Sequence, residues 1–231
     1  MSSARHFALI PAAGVGARLG ATTPKQYLSI CGKPMLSHVL TTFAASPLIA
    51  HAFVVVSRED GHIDAMLAAS GISGKRITVL RNGGKTRRET VLHGLQALAG
   101  LAAKDDWILV HDAARPGLTN AMIERLTEAL ADDSVGGLLA MPVVDTVKQS
   151  QDGRAVATLP RERLWCAQTP QMFRHALLKQ AIESFDDVTD EASAIERLGL
   201  RPKLVQGSAR NLKVTLPADV AIVELLMKGP E

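Results

Sequence analysis

Residues 7–20 read FALIPAAGVGARLG. The first four residues are apolar and a proline ends the run, a pattern that indicates a short buried strand. Small residues follow at once, so the strand leads into a glycine-rich turn whose backbone N–H groups could closely approach a bound polyanion. Similar apolar runs return further along the chain, so residues 7–10 are predicted to be the first of several buried strands.

Apolar runs without polar alternation recur downstream and are separated by segments of helical period. We predict strands at 52–56, 77–80 and 107–110, and helices at 35–45, 63–69, 87–98 and 120–130, the last capped by Asn120. Buried strands separated by helices predict an α/β fold with a mostly parallel sheet flanked by helices. Such sheets bind ligands at the carboxyl ends of their strands.

The pattern changes after residue 142. Two short polar strands at 146–149 and 155–159 flank the turn sequence Gln151-Asp152-Gly153, which predicts a hairpin. Because this hairpin has few apolar residues to bury, we expect an arm at about 142–170 that projects toward another subunit. Helices at 175–184 and 190–198, a strand at 203–206 and a helix starting at Pro217 complete a single domain over residues 1–231.

The composition argues against several classes of protein. The net charge is +3, 3% of the residues are aromatic and no dense Lys/Arg run occurs, so we expect no nucleic-acid partner. Apolar runs are too short for a membrane span, and the N-terminal run is too short for a signal peptide, so we expect a cytoplasmic protein. Neither Cys31 nor Cys166 sits in a CxxC or Cys/His spacing, which argues against a zinc site or a disulfide scaffold.

Cations accompany the first glycine-rich turn. Arg18 follows Gly14 and Gly16, and Lys25 lies in the adjoining sequence PKQ at 24–26. The spacing is not a dinucleotide-binding fingerprint, and the Gly-Lys-Ser/Thr ending of a P-loop is missing. These residues favour a phosphate-binding loop, with a tight turn bearing two surface cations as the alternative.

The loop after the predicted strand 77–80 is also rich in glycine and cations. It contains Gly83 and Gly84, and Thr90 opens the helix that follows. A helix N-terminus at this place would suit a nucleotide base or a phosphate. The alternative is a solvated turn capped by Thr86.

The loop after the predicted strand 107–110 reads HDAARP at 111–116. Asp112 has the chemistry to hold a hydroxyl or to sit near Mg²⁺, and Arg115 to bind a phosphate through two hydrogen bonds. The alternative is an Asp112–Arg115 ion pair that braces the loop. His111 has no convincing Ser or Cys partner, so a hydrolase triad is not supported.

Four polar residues nearer the C-terminus are less specific taken singly: Arg161, Thr169, Thr189 and Lys213. Read alone, Arg161 and Lys213 are surface charges. Thr189 reads most simply as the N-cap of the helix at 190–198.

Seven segments, taken together and in order, resemble a single family. They are AAGVGAR at 12–18, PKQY at 24–27, GG at 83–84, HDAARP at 111–116, QTPQ at 168–171, TDEA at 189–192 and NLKVT at 211–215. The set resembles the 2-C-methyl-D-erythritol 4-phosphate cytidylyltransferases from about residue 7 to the C-terminal helix. Single segments are shared with other nucleotidyltransferases, whereas the ordered set is highly specific.

The resemblance implies a Rossmann-like nucleotidyltransferase fold and a reaction in non-mevalonate isoprenoid synthesis. CMP is transferred from CTP to 2-C-methyl-D-erythritol 4-phosphate, and pyrophosphate is released. The resemblance also implies a homodimer built by the arm. It implies Mg²⁺ held mainly by the CTP phosphates, with no protein ligand assigned.

The resemblance assigns roles to individual residues. Arg18 and Lys25 stabilise the transition state, while Lys213 and Arg161, the latter reaching from the partner subunit, position the acceptor phosphate. The remaining implied contacts are Asp112, Arg115, Thr169 and Thr189 for the acceptor, and Pro11, Ala12, Ala13, Gly14, Gly16, Gly83, Gly84, Thr90 and Ala113 for the nucleotide.

Two positions depart from the residues common in the family. Thr90 stands where serine is frequent and keeps the hydroxyl, so a contact with cytosine is still expected. Lys85 stands where an acidic residue can occur, and the contact of that position is not carried over.

Three other functions are compatible with parts of the pattern. A cytidylyltransferase for another polyol phosphate, such as ribitol 5-phosphate, would differ only in its acceptor pocket. A non-catalytic nucleotide-binding protein would be favoured by loss of Arg18, Lys25 or Lys213, and all three are present. A Rossmann oxidoreductase is the weakest, because the glycine spacing is wrong for it.

Overall fold

The structure is a computed structural model that describes residues 4–14, 24–72 and 76–229. Its strands are β1 His6–Pro11, β2 Ser29–Ile30, β3 Lys33–Pro34, β4 Ile49–Val55, β5 Ile77–Leu80, β6 Trp107–Val110, β7 Gly136–Pro142, β8 Val147–Gln151, β9 Arg154–Leu159, β10 Trp165–Arg174 and β11 Lys203–Gln206. Its α-helices are α1 Met35–Ala45, α2 Ile63–Ser70, α3 Arg87–Ala97, α4 Asn120–Ala129, α5 His175–Ser184, α6 Glu191–Arg197 and α7 Pro217–Lys228. Short 3-10 helices cover Lys25–Tyr27, Leu98–Gly100 and Ala209–Asn211.

Seven strands form the central sheet in the order β11-β7-β10-β6-β1-β4-β5. Every strand except β10 runs in the same direction, because β10 is antiparallel to both of its neighbours and the other pairings are parallel. The chain goes from β1 to one side for β4 and β5 and then crosses to the other side for β6. The carboxyl end of β1 therefore lies at a switch point, where parallel sheets commonly bind ligands.

The centre of the sheet is buried on both faces, which explains why residues 7–10 of β1 are all apolar. Ala8 and Ile10 belong to a core with residues of α1, α2 and α4, whereas Phe7 and Leu9 belong to a second core with residues of α3, α5 and α6. Alternate side chains of residues 7–10 thus enter opposite cores, so none of these four positions suits a polar residue. The predicted α/β class with a mostly parallel sheet is confirmed.

Two strands of the central sheet and one helix cap differ from the sequence-based expectation. β7 and β10 lie inside the sheet, although no strand was predicted from the sequence at 136–142 or at 165–174. The N-cap of α4 is Thr119, whose side chain accepts a hydrogen bond from the Met122 backbone, so the assignment of Asn120 as the cap is wrong. Asn120 is instead the first helical residue.

The hairpin of β8 and β9 extends from the sheet as an arm. Its turn residues Asp152 and Gly153 have φ values of 51° and 75°, a left-handed pair that suits an Asp-Gly hairpin turn. All of β9 and nearly all of β8 are exposed. The arm leaves and rejoins the sheet where Pro142 pairs with Trp165.

Helix α7, the last helix, packs against β2 and the start of α1. Val223 packs in a small core with Ile30, Met35 and Val214, and Asp219 accepts hydrogen bonds from the backbone of the loop that precedes the helix. This packing fixes the loop that carries Lys213. Within the ranges that the structure describes, no helix is both long and apolar enough to cross a membrane.

Candidate active site

The loops that follow β1 and β5 lie side by side at the carboxyl edge of the sheet. A Cβ placed on Gly83 would come within 2.2 Å of the Cβ of Ala13 and 2.8 Å of the carbonyl oxygen of Val56. Only glycine permits this approach. Between the two loops lies a pocket of about 170 Å³, which we call the nucleotide-side pocket; it is lined by Pro11, Ala13, Gly14, Gly84, Lys85, Thr86, Arg87 and Thr90.

The N-terminus of α3 forms one wall of the nucleotide-side pocket. Thr86 caps the helix in a reciprocal capping box with Glu89. The buried Thr90 hydroxyl donates to the Thr86 carbonyl at 2.8 Å and accepts from the Gly84 backbone at 3.1 Å. The hydroxyl at Thr90 thus shapes the glycine turn, and the positive end of the helix dipole faces the pocket.

Lys25 is held beside the first loop by the two residues that follow it in the chain. The Gln26 amide donates to the Ala12 carbonyl at 2.7 Å, and the Tyr27 hydroxyl donates to Asp60 at 2.8 Å. Burial and the hydrogen bond to Asp60 raise the pKa of Tyr27, which keeps the phenol protonated as a donor. The half-buried Lys25 therefore precedes a backbone segment that is fixed at the two following residues.

A second pocket of about 190 Å³ adjoins Arg87 on its other side; we call it the acceptor-side pocket. Its lining residues are Arg87, Asp112, Arg115, Ala167, Gln168, Thr169, Gln171, Thr189, Asp190 and Lys213. The four acceptor residues named from the sequence at positions 112, 115, 169 and 189 all line it, together with Lys213.

Asp112 is the electrostatic centre of the acceptor-side pocket. Its carboxylate lies 2.9 Å from Nε of Arg87, 2.7 Å from Nζ of Lys213 and 3.8 Å from Nε of Arg115. Burial alone would raise the pKa of Asp112, but the three cations outweigh burial and hold that pKa well below its usual range. The group is therefore an anion at every working pH.

Arg115 holds the walls of this pocket together. It donates to the carbonyl of Asn211 at 2.7 Å and to that of Ala167 at 3.3 Å. Its distance to Asp112 is the longest of the three cation distances. The bracing ion pair considered from the sequence is thus present but long, and Arg115 mainly ties the β6 loop to β10 and to the segment before Lys213.

His111 and Thr169 form a buried hydrogen-bonded pair behind Asp112. The Thr169 hydroxyl oxygen lies 2.9 Å from Nδ1 of His111 and accepts from the backbone N–H of Asp112 at 3.1 Å. Nε2 of His111 lies 3.1 Å from the carbonyl oxygen of Arg115, so this nitrogen carries the proton and Nδ1 accepts. Burial lowers the pKa of His111 to about 4, which keeps the ring neutral in the folded protein.

We expect the free energy of unfolding to fall as the pH drops from about 6.5 to about 4. Over this range the unfolded chain protonates His111 while the folded chain does not, because the folded pKa is about 4. The unfolded state then binds more protons, and a contribution on the order of 3 kcal/mol that is present above pH 6.5 is lost. Urea titrations between about pH 7 and pH 4 measure this slope.

A substitution separates His111 from the other groups that titrate in the same range. His111→Gln is expected to flatten the pH slope, whereas the same change at the exposed His62 is expected to keep the wild-type slope. An unchanged slope in His111→Gln would contradict the assignment of the effect to this ring.

Some residues named from the sequence do not line either pocket. Ala12 and Ala113 are buried in the core, and Gly83 packs behind Ala13. Arg161 is exposed on the segment that joins β9 to β10, and its guanidinium donates to the carbonyl of Val144 within the arm. Gly16 and Arg18 lie outside the described residues.

The N-cap assigned to Thr189 as an alternative is wrong. The cap of α6 is Asp190, whose carboxylate accepts from the Ser193 backbone at 2.9 Å. The Thr189 hydroxyl instead lies at the rim of the acceptor-side pocket, 3.3 Å from the hydroxyl of Ser193.

Sequence reasoning missed Arg87, which stands between the two pockets, and Glu191, which lines neither pocket but binds Arg87. Arg87 lines both pockets, and Glu191 in the first turn of α6 binds it through two hydrogen bonds of 2.7 and 2.9 Å. Glu191 lies two residues after the predicted Thr189 in sequence, and its position in a first helical turn reads as a simple dipole contact. Its burial, 1% exposed, was the missing signal, and sequence alone does not give it.

Comparison with known proteins places this chain in a family. Residues 6–229 match the family model described as 2-C-methyl-D-erythritol 4-phosphate cytidylyltransferase. A protein of that name from Azoarcus sp. (strain BH72) is 52% identical over 97% of this chain and 95% of its own length. The protein of that name from Dechloromonas aromatica is 50% identical over 97% of this chain and 98% of its own.

Solved structures indicate the same family. A 4-diphosphocytidyl-2C-methyl-D-erythritol synthase superposes with a TM-score of 0.86 at 45% identity, covering 98% of this chain and 100% of its own. The Francisella tularensis 2-C-methyl-D-erythritol 4-phosphate cytidylyltransferase gives 0.80 at 34% identity, covering 96% and 100%. The chain therefore belongs to the 2-C-methyl-D-erythritol 4-phosphate cytidylyltransferase family.

Proposed function

We propose that this chain transfers CMP from CTP to 2-C-methyl-D-erythritol 4-phosphate in non-mevalonate isoprenoid precursor synthesis, releasing pyrophosphate. One observation carries the proposal: two pockets adjoin at the carboxyl edge of the sheet and share Arg87 as a wall. One pocket is built by glycine loops and a helix N-terminus, and the other is lined by cations around Asp112. A nucleotide and an anionic acceptor have complementary places there.

The chemistry requires charge neutralisation more than proton transfer. An oxygen of the acceptor phosphate attacks the α-phosphorus of CTP, a new P–O bond forms, and the bond from the α-phosphorus to the leaving pyrophosphate breaks. The attacking oxygen is already anionic near neutral pH, so no general base is needed. The buried, neutral His111 fits this scheme, because the reaction gives it no proton to move.

We assign the cations to the two substrates according to their positions. Lys25, beside the first loop, would neutralise charge developing on the CTP phosphates, and we propose the same task for Arg18. Lys213 would bind the acceptor phosphate, with Asp112 and Thr189 available for the hydroxyl groups of the acceptor. Arg115 and Thr169 would act from the pocket wall.

Mg²⁺ is proposed to enter with CTP as part of the substrate. The described residues contain no group of three His, Cys, Asp or Glu side chains placed to hold a metal ion. Asp112, the carboxylate at the centre of the site, is already engaged by three cations. Phosphate oxygens of the substrate, together with water and one or two carboxylates, are the usual ligands for Mg²⁺ in such sites.

We propose a homodimer in which the arm contacts a second copy. The arm region exposes Val144 by 74%, Val156 by 55% and Trp165 by 38%, apolar surface that association would bury. Arg161 lies in the same arm, on the segment that joins β9 to β10. In such a dimer it would reach the acceptor-side pocket of the partner subunit. A cytoplasmic location is also proposed, in keeping with the free thiols of Cys31 and Cys166.

Mixed dimers test the placement of Arg161. Arg161→Ala and Lys25→Ala subunits, each expected to be weakly active as homodimers, should recover activity when combined, because one of the two sites in the mixed dimer keeps both native residues. Purified heterodimers carrying two different tags give the measurement. No recovery in verified heterodimers would place Arg161 in the site of its own chain.

Pyrophosphate release tests the reaction itself. With CTP and Mg²⁺, we expect turnover with 2-C-methyl-D-erythritol 4-phosphate and none with ribitol 5-phosphate, or when ATP, GTP or UTP replaces CTP. Turnover only with ribitol 5-phosphate would retain the mechanism and overturn the acceptor. Absence of turnover with either acceptor, from folded protein, would favour a nucleotide-binding role without catalysis.

A further inference from the structure

Arg87 stands where the two pockets meet. It is the first residue of α3, so its backbone belongs to the helix end that forms a wall of the nucleotide-side pocket. Its guanidinium points to the acceptor side, where Nε donates to Oδ1 of Asp112 at 2.9 Å. Nη1 and Nη2 donate to the two oxygens of Glu191 at 2.7 and 2.9 Å.

The bonds to Glu191 are structural. Glu191 is 1% exposed, and the paired hydrogen bonds join the first turn of α6 to the first turn of α3. A buried carboxylate without its cation is strongly destabilising. Among the described residues, Arg87 is the only cation in a salt bridge with Glu191.

The bond to Asp112 has a different consequence. Arg87 occupies Oδ1, and the other oxygen, Oδ2, is the one that lies 2.7 Å from Nζ of Lys213. The carboxylate is thus held in one rotation, and the side chain of Lys213 is placed by the oxygen that remains. A fixed guanidinium fork is suited to this task, because its donors are rigid relative to one another.

We propose that Arg87 is a positioning residue for the transfer reaction. It orients Asp112 and through it Lys213, and it holds the acceptor-side pocket in register with the helix end that borders the nucleotide. The inference rests on the function proposed above and adds a residue that acts through Asp112 without itself contacting a reacting atom. Small misplacements of a substrate are costly in such reactions.

The neighbouring arginine provides a matched control. Arg88 donates to the carbonyls of Phe185 and Ile182 and forms a salt bridge with Asp186 at 2.9 Å, all on the side of α5. Arg88→Gln therefore removes a comparable set of bonds from the adjacent residue but leaves Asp112 untouched. We expect it to lower stability and to leave the KM for the acceptor at the wild-type value.

Four Arg87 and Glu191 variants separate positioning from structural support. Arg87→Gln is expected to raise the acceptor KM on the order of tenfold or more, with a smaller change in the KM for CTP, and Arg87→Lys to recover part of the loss. Glu191→Gln, which keeps the Arg87–Asp112 bond, should leave the acceptor KM near the wild-type value. The double variant Arg87→Gln/Glu191→Gln should regain thermal stability while its acceptor KM stays raised.

The double variant also carries the test if Arg87→Gln does not fold, because it leaves no buried charge unpaired at position 191. A wild-type acceptor KM in the double variant would overturn the inference about Arg87 but not the proposed function. The same holds if Arg87→Gln and Arg88→Gln have the same acceptor KM. Absence of turnover by the wild-type chain would overturn the proposed function, and this inference with it. The two failures are therefore distinguishable within one set of assays.

Discussion

Replacing Lys25 with alanine is expected to lower kcat on the order of 10²-fold while the protein stays folded. The physical reason is preorganisation: the hydrogen bonds from Gln26 to Ala12 and from Tyr27 to Asp60 fix the backbone on which Lys25 sits. A cation held in place beside a phosphate loop stabilises charge that develops in the transition state without reorganising at that moment. Steady-state kinetics with saturating CTP and acceptor give kcat directly.

A lysine at the other end of the sheet controls for loss of charge. Lys104 is exposed just before β6, at the amino edge of the strand, so Lys104→Ala removes one positive charge far from both pockets. We expect its kcat to be unchanged. If Lys25→Ala also kept the wild-type kcat, Lys25 would have no part in the transition state. Arg18→Ala is expected to behave like Lys25→Ala on the strength of the family resemblance.

Asp112→Asn is expected to reduce the free energy of unfolding by about 3 kcal/mol and to abolish most turnover. The substitution keeps the shape of the side chain but removes the one negative charge shared by Arg87, Arg115 and Lys213. Three cations in a largely buried cluster would then face one another without the carboxylate that they share, and the Glu191 salt bridge involves Arg87. Denaturant titration measures the stability, and the pyrophosphate assay measures the turnover.

An exposed ion pair of the same residue types gives the control. Asp64 pairs with Arg81 at 2.5 Å, but the Asp64 side chain is 80% exposed. Because exposed pairs contribute little, Asp64→Asn should change the free energy of unfolding by less than about 1 kcal/mol. An Asp112→Asn loss as small as that of Asp64→Asn would show that solvent reaches and screens the Asp112 cluster.

The parallel half of the fold could be predicted closely from the sequence. β5 and β6 have the bounds expected from their apolar runs at 77–80 and 107–110, and α1 has the bounds of its helical pattern at 35–45. These elements bury continuous apolar surface, so pattern and structure carry the same information. Sequence segments also sufficed for the family, which the comparisons confirm.

β10 could not be predicted in the same way. It contains Pro170, which has no N–H to donate and normally argues against an interior strand. In the structure the pairing of β10 with β7 is irregular between Ala167 and Gln171, and the proline falls in that interruption. The segment is a strand because it pairs with its neighbours on both sides of the interruption. Such pairing depends on tertiary contacts, which a local sequence pattern does not predict.

The residues of the candidate site also differ in whether the sequence could predict them. Residues next to strand ends, such as Asp112 and Gly84, could be named because a parallel sheet gathers its strand ends at one edge. Arg87 and Glu191 are 104 residues apart, and each has an ordinary local role at the start of a helix. Their partnership depends on how α3 and α6 pack, so only the three-dimensional structure reveals it.

The insertion of β10 between β6 and β7 has a consequence for synthesis of the chain on the ribosome. β6 is complete at residue 110, but the strand that covers its open side is complete only at residue 174. At typical elongation rates of about 5–20 residues per second, this delay is roughly 3 to 13 s. Throughout that time the partly synthesised sheet presents an unpaired strand edge of the kind that pairs with other chains. We therefore expect chaperones to bind nascent chains that end between residues 110 and 174.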